Sequence, residues 1–209
     1  MFHLAERTEW VGYISSTSVY SETEGGWVDE GSPTQKNMPR CKAENLWLEL
    51  GDLEKTRSRV FRCAGIYGPN RNALATLRDR KAGNINDSKL VSRIHVGDLC
   101  RGIHASMTSS IAARKRVYNM ADDLPASREE VFSYAKRLGS FSEGDTDLST
   151  RTRRDKSRSS KRVNNARLRN ELITDLVYPS YVEGLKDLEN QCIWPFTESI
   201  LQLSANRTS

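Results

Sequence analysis

The sequence predicts an α/β protein organised around a parallel β-sheet. Three observations lead there. An apolar run over residues 60–66 passes straight into the turn Tyr67-Gly68-Pro69, and a second run over 11–20 ends in a cluster of hydroxyls. Along the rest of the chain, strand-like runs alternate with stretches of helical period, the pattern of strands joined by crossover helices.

Residues 11–20 read as a buried strand in which Val11, Tyr13, Ile14 and Val19 bracket Ser15, Ser16, Thr17 and Ser18. A polar loop rich in Gly, Glu, Ser and Pro follows over 21–39. Ala43, Leu46, Trp47 and Leu50 recur with a helical period, and Gly51 ends that helix. Residues 58–66 form the second strand, and 72–80 a short helix that stops near Gly83. Residues 89–96 read as a strand leading into a helix over 98–108, with Leu99, Gly102, Ile103 and Met107 on one face; 117–121 is a further strand. Ser127 and Glu130 have the spacing of a capping box, in which hydroxyl and carboxylate each satisfy a free backbone amide at a helix start. The helix so opened carries Val131, Phe132, Tyr134, Ala135 and Leu138, and Gly139 stands at its C-terminal cap. Helices over 165–172 and 181–188 close the chain on either side of a break at Pro179.

At 209 residues the chain holds one domain, or a domain with a small appendage. Hydrophobic residues make up 37%, or about 43% with the 13 glycines, a little under the usual share. Mean hydropathy is −0.64. Such a thin core suits a fragment of a larger fold. The net charge of +5 is concentrated over residues 151–162, where seven basic groups and one acid leave the rest of the chain close to neutral. A single basic run of this kind reads as a solvated loop, with a nucleic-acid or acidic-partner tether as the alternative. The cysteines at 41, 63, 100 and 192 form no CxxC pair, so no zinc site is expected; Cys63 and Cys100 fall in apolar or amphipathic runs and read as buried thiols of a reducing compartment. No apolar run is long enough for a membrane span and no secretory signal opens the chain, so the expectation is a soluble intracellular protein, cytoplasmic by default, with an organelle such as the plastid left open.

The strand-end hydroxyls, the Tyr67-Gly68-Pro69 turn between Arg62 and Arg71, and the segment Ser92-Arg93-Ile94-His95-Val96-Gly97-Asp98-Leu99 stand in an order and spacing that resembles the second half of an extended short-chain dehydrogenase/reductase. This is the NAD-dependent epimerase/dehydratase family of NAD(P)-binding Rossmann-fold proteins. The resemblance implies an incomplete Rossmann-like parallel sheet, N-terminally truncated. Residues 1–120 would be the later part of the Rossmann-like domain, and 121–209 a small C-terminal substrate-side region, helical, with the basic loop at 151–162.

It also implies site residues. Ser16, four residues before Tyr20, takes the place of the hydroxyl that grips the reacting oxygen. Tyr67, Gly68 and Pro69 lie where the nicotinamide of NAD or NADP packs, and Arg71 and Arg93 where a sugar nucleotide or small carbonyl substrate binds. From the residues alone, the Ser15–Thr17 hydroxyls can equally satisfy backbone at a strand end, Tyr67-Gly68-Pro69 can be an ordinary strand-ending turn, and His95 and Asp98 can fix a strand-to-helix junction. Asn119, Asp122 and Asp123 read as turn-shaping groups.

Two family signatures do not occur in the sequence. The family's Pro-x-Tyr-x-x-x-Lys, aligned on Pro39, puts Arg40 near the tyrosine and Glu44 near the lysine. Lys42 lies about 200° around the helix from Arg40 and cannot take the lysine's place. Arg40 and Glu44 have the spacing of a surface ion pair. Nor do any of the 13 glycines form a Gly-x-Gly-x-x-Gly array for a pyrophosphate. The expectation is weak or absent NAD(P) binding, impaired catalysis, and as alternative a non-catalytic Rossmann-like binding or regulatory module. Without the first strands of the sheet, the strand at 11–20 or 58–66 would have an open edge, favouring an oligomer or a completing partner.

Overall fold

The structure is a computed structural model that describes residues 8–53, 56–79, 87–141 and 160–197. Its centre is a parallel sheet of three strands in the order β1 (Trp10–Ser16), β3 (Arg57–Cys63), β7 (Lys115–Met120). The register runs from Trp10 opposite Arg57 to Ser16 opposite Cys63, and on the other side of β3 from Ser58 opposite Lys115 to Cys63 opposite Met120. All three carboxyl ends therefore lie at one edge of the sheet. Among the described residues β1 pairs on one side only, so the open edge falls on the strand read at 11–20, while the strand read at 58–66 is central.

Successive residues of a strand face opposite sides, and both sides are covered. On one side α1 (Pro39–Glu49) lies on β1 and β3, with Trp47 stacked on Tyr13 at 5.8 Å between ring centroids. On the other, Trp10, Phe61 and Tyr118 form an aromatic row at 6.3 and 6.1 Å spacings. That row packs with Leu99 of α3 (Val96–Thr108) and Leu168 of α5 (Ala166–Glu171).

The run at 58–66 is two strands. After Cys63 the backbone leaves β7, Gly65 donates to the Ser92 carbonyl, and β4 (Gly65–Tyr67) pairs in parallel with β6 (Arg93–His95). A third apolar cluster forms beyond this switch. There Tyr67 packs with Leu74 and Leu77 of α2 (Ala73–Arg78), Phe132 of α4 (Arg128–Leu138) and Leu185 of α6 (Tyr181–Glu189). A Cβ added at Gly184 of α6 would overlap the Tyr67 hydroxyl, so this contact requires glycine.

Two parts of the sequence read as loop are strands. Glu24–Val28 forms β2, with Gly25 at φ +92°, a conformation that glycine adopts without strain. Ser160–Val163 forms β9, which pairs in parallel with β2. The last three residues of the basic segment are thus in a strand rather than a solvated loop, and 151–159 lie outside the described residues. The pairing of β5 (Leu90–Val91) with β8 (Ala126–Ser127) is antiparallel, and it closes the wall next to α4.

The capping box forms as expected: the Ser127 hydroxyl accepts from the Glu130 amide at 3.1 Å, and Glu130 Oε2 from the Ser127 amide at 2.7 Å. Cys63 is buried, whereas Cys100 is exposed on α3, correcting its assignment as a buried thiol. No helix among the described residues is long and apolar enough to cross a membrane.

Candidate functional site

Open parallel sheets bind ligands beyond the carboxyl ends of their strands, and a cavity of about 580 Å³ opens there. That size is within the range of small-molecule sites. Its floor is the end of β1 and the crossing from β3 to β4. Its walls come from α2, from the segment 87–93, from the first turns of α4 and α6, and from β9.

Of the residues the sequence singles out, Ser16, Tyr67, Arg71 and Arg93 line this one cavity; Gly68 and Pro69 are not among its lining residues. Ser16 Oγ accepts from the Ser18 amide at 3.1 Å and so caps the 3₁₀ turn over Thr17–Val19, with Thr17 and Ser18 beside it in the lining. Tyr67 donates its hydroxyl to the Ser180 carbonyl at 3.1 Å. Burial, reinforced by Asp122 and Asp98, pushes that phenol far above its ordinary pKa, so it stays protonated. Gly68 exchanges backbone hydrogen bonds with Arg71 and holds the turn.

Arg93 reaches back to the carbonyls of Val91 and Ala126 at 2.8 and 2.7 Å. Burial lowers its pKa, against the pull of Asp122 and nearby tyrosines. Arg71 is exposed, and its guanidinium has no hydrogen-bond or ion-pair partner among the described residues. Two further cations complete the lining that sequence reading missed. Arg128 lies over the Phe132 ring at 4.3 Å, and Lys161 comes in from β9. Four basic side chains thus surround the cavity, with Asp87 the one acid among its described lining residues. Arg128 carried no sequence signal beyond its charge, and Lys161 was submerged in the basic run.

Directly behind the floor lies a buried polar network. Glu44 does not pair with Arg40 at the surface. It is 3% exposed and grips Arg62, with Arg62 Nη2 at 2.8 Å and Nε at 3.2 Å from both carboxylate oxygens. Ser15 donates its hydroxyl to the same carboxylate at 2.5 Å, so it points away from the cavity. The local helical rule loses here because β3 offers a cation 18 residues away inside the core. Burial alone would lower the pKa of Arg62, but its hydrogen bonds to Glu44 and the neighbouring Tyr20 outweigh it and hold it above its ordinary value.

The Arg62 guanidinium also lies 4.9 Å from the Tyr20 ring centre. Tyr20 donates to Asn119 Oδ1 at 2.5 Å, and Asn119 Nδ2 donates to the Asn164 carbonyl at 3.0 Å. Asn119 is therefore a buried cross-link rather than a turn-shaping group.

The strand-to-helix junction is built as expected. His95 Nδ1 accepts from the Gly97 amide at 3.1 Å, and Asp98 accepts from the amides of Val177 and Tyr178 at 3.0 and 2.8 Å. Burial pushes His95 down to about 4, against Asp98 and Asp187. Asp122, 1% exposed, finds no hydrogen-bond partner for its carboxyl oxygens among the described residues, and burial raises its pKa well above its ordinary value despite Arg93.

Known proteins with this architecture are numerous among solved structures. No family model matches the chain, and no curated protein does. A conserved protein of unknown function from Silicibacter pomeroyi DSS is 34% identical, with a TM-score of 0.73 over 88% of this chain and 67% of its own. The dTDP-glucose 4,6-dehydratase of Bacillus anthracis str. Ames, solved in complex with NAD, is 18% identical (TM-score 0.68, 86% of this chain and 60% of its own). The UDP-glucuronic acid 4-epimerase of Bacillus cereus, also in complex with NAD, is 16% identical (TM-score 0.62, 87% and 59%). The chain thus spans about three fifths to two thirds of the length of these proteins. It belongs to one family with the Silicibacter protein, and its fold is that of the extended short-chain dehydrogenase/reductases, the NAD-dependent epimerase/dehydratase group.

Proposed function

We propose that this protein binds a phosphate- or carboxylate-bearing ligand of the sugar-nucleotide class in the cavity at the strand ends, and that it does so without the proton and hydride transfer of the dehydrogenase family. The observation that carries the reading is the place of Glu44. The helix position aligned with the family's lysine holds a carboxylate, and that carboxylate is consumed by Arg62 and Ser15 below the cavity floor. Arg40, aligned with the tyrosine, cannot serve as a general acid at neutral pH because guanidinium does not release its proton. Tyr67 is held protonated and engaged with Ser180. What remains is a cavity rich in cations, suited to an anion.

For NAD or NADP, these residues fit at most the nicotinamide end, through Tyr67 and the Ser16–Ser18 hydroxyls. A pyrophosphate needs helix-terminal amides beside glycine, and the sequence offers no such array. Binding of the dinucleotide is accordingly weak. The edge of β1, unpaired among the described residues and with Ile14 exposed, supports pairing with a second chain.

Calorimetric titration tests the reading. UDP-glucose or dTDP-glucose is expected to bind with a dissociation constant below about 100 μM, and NADH more weakly than that. Binding of NADH at about 1 μM, or turnover of NADH with a sugar nucleotide, would refute it.

A further inference from the structure

β9 carries two adjacent basic residues, and the strand sends them to opposite sides. Arg162 lies on the outer face, over the Trp27 ring at 5.4 Å and donating to the Gly25 carbonyl at 2.8 Å. Lys161 goes inward with Val163, is 6% exposed, and lines the cavity beside Ser16, Thr17 and Ser18. Its ammonium donates to the Thr17 carbonyl at 3.4 Å, a long contact for a group with three N–H bonds to place.

Among the described residues, the charged groups around it do not neutralise it. Glu22 is the nearest acid by its effect, but its carboxylate already accepts from the amides of Glu24 and Gly26 at 2.6 and 3.1 Å. Across the cavity stand Arg71, Arg93 and Arg128, with Asp87. A buried ammonium with donors to spare, facing hydroxyls and other cations, is arranged for an oxyanion. Burial also lowers its pKa, which raises the fraction of free amine near neutral pH.

We propose that Lys161 is a ligand-contacting residue of this cavity, its ammonium binding an anionic oxygen of a phosphorylated ligand beside the hydroxyls at the end of β1. This rests on the cavity being the ligand site, and it goes further. An ammonium reaches the strand-end hydroxyls from β9, more than a hundred residues along the chain from the helix whose position 44 holds glutamate.

Pyridoxal 5′-phosphate tests it on the intact protein, because the probe joins a phosphate to an aldehyde. The free amine adds to the aldehyde carbon, the adduct loses water to give an imine, and borohydride supplies hydride to reduce the C=N bond to a stable secondary amine. Peptide mass spectrometry then locates the label. At pH 7.5 Lys161 is expected to label about ten-fold faster than exposed lysines, as a lowered pKa and a neighbouring phosphate site require. Millimolar inorganic phosphate should slow that labelling several-fold, and Lys161→Met and Lys161→Arg should each remove it, neither guanidinium nor thioether forming the imine.

Labelling of Lys161 no faster than exposed lysines, or labelling unaffected by phosphate, would overturn the assignment, and both are read on wild-type protein whether or not a variant folds. Selective, phosphate-protected labelling that UDP-glucose does not slow supports Lys161 and counts instead against the sugar-nucleotide reading of the cavity.

Discussion

Substituting Glu44→Lys would restore the lysine of the family spacing, and the structure says it should fail in a measurable way. The new ammonium would arrive where a carboxylate now holds Arg62 at 2.8 Å, at 3% exposure, with Ser15 donating to the same group. Removing one partner of a buried ion pair costs about 3–5 kcal/mol, because the other is left uncompensated. Reversing the sign adds repulsion: two unit charges about 4 Å apart at an effective dielectric of about 20 interact by about 4 kcal/mol. The lysine can relieve part of this by turning outward along α1, leaving a net loss of about 5 kcal/mol, a large share of the roughly 5–15 kcal/mol that stabilises a domain. Urea unfolding and thermal melts of wild type, Glu44→Gln, Glu44→Lys and the charge swap Glu44→Lys/Arg62→Glu would measure it. The lysine variant should melt at least about 10 °C lower, with the glutamine variant in between. The swap should recover enough to give a coupling energy above about 2 kcal/mol. A Glu44→Lys protein melting within about 2 °C of wild type would refute the reasoning. So would NADH turnover with a sugar nucleotide by Arg40→Tyr/Glu44→Lys, since the lysine would then have found its catalytic place.

Three further outcomes are expected. His95, held near 4 when folded and near 6.5 when unfolded, contributes stability that is complete above about pH 6.5 and is lost as pH falls toward 4, by about 3 kcal/mol in all. Urea midpoints from pH 7 to 4 should show this slope, and a His95→Gln protein with the same slope would contradict it. Asp122 has the opposite sign, because its raised folded pKa removes stability as pH rises. The free-energy difference between Asp122→Asn and wild type should therefore move in the variant's favour from about pH 4 to 8, and a pH-independent difference would show the carboxyl to be solvated. Size-exclusion chromatography with light scattering should give a mass above the 23.7 kDa monomer through the β1 edge, reduced by Ile14→Lys. A wild-type monomer with a single cooperative melt would favour a self-contained module.

The strands and helices whose apolar period is strong were legible in sequence, and so was the Ser127–Glu130 cap, because the cause of each is local. What escaped depends on partners distant in the chain. The break between β3 and β4 leaves no trace in the apolar run, since Ala64 still donates to Met120 while Gly65 already donates to Ser92. β2 was hidden by two glycines, and β9 by the surrounding basic residues, whose charge count says nothing about which of them faces inward. Ser16, Tyr67, Arg71 and Arg93, which line the cavity, could be singled out because they lie within short motifs. Glu44 and Lys161 could not: helical spacing offered Glu44 a surface partner at Arg40, and only the sheet brings Arg62 beneath it and Lys161 beside Ser16.

The walls of the cavity are drawn from residues 16–18, 63–76, 87–93, 128–132, 161–163 and 181–185, nearly the whole span of the described chain. No one of these segments can hold a ligand alone, so affinity exists only when all of them have met. The melting curve is consequently a ligand detector: a compound at a hundred times its dissociation constant adds about 2.7 kcal/mol to the folded state. In a chain of this length that is a rise of about 5–10 °C. A panel of phosphorylated sugars and nucleotides can thus be ranked by heat alone, before any reaction is known.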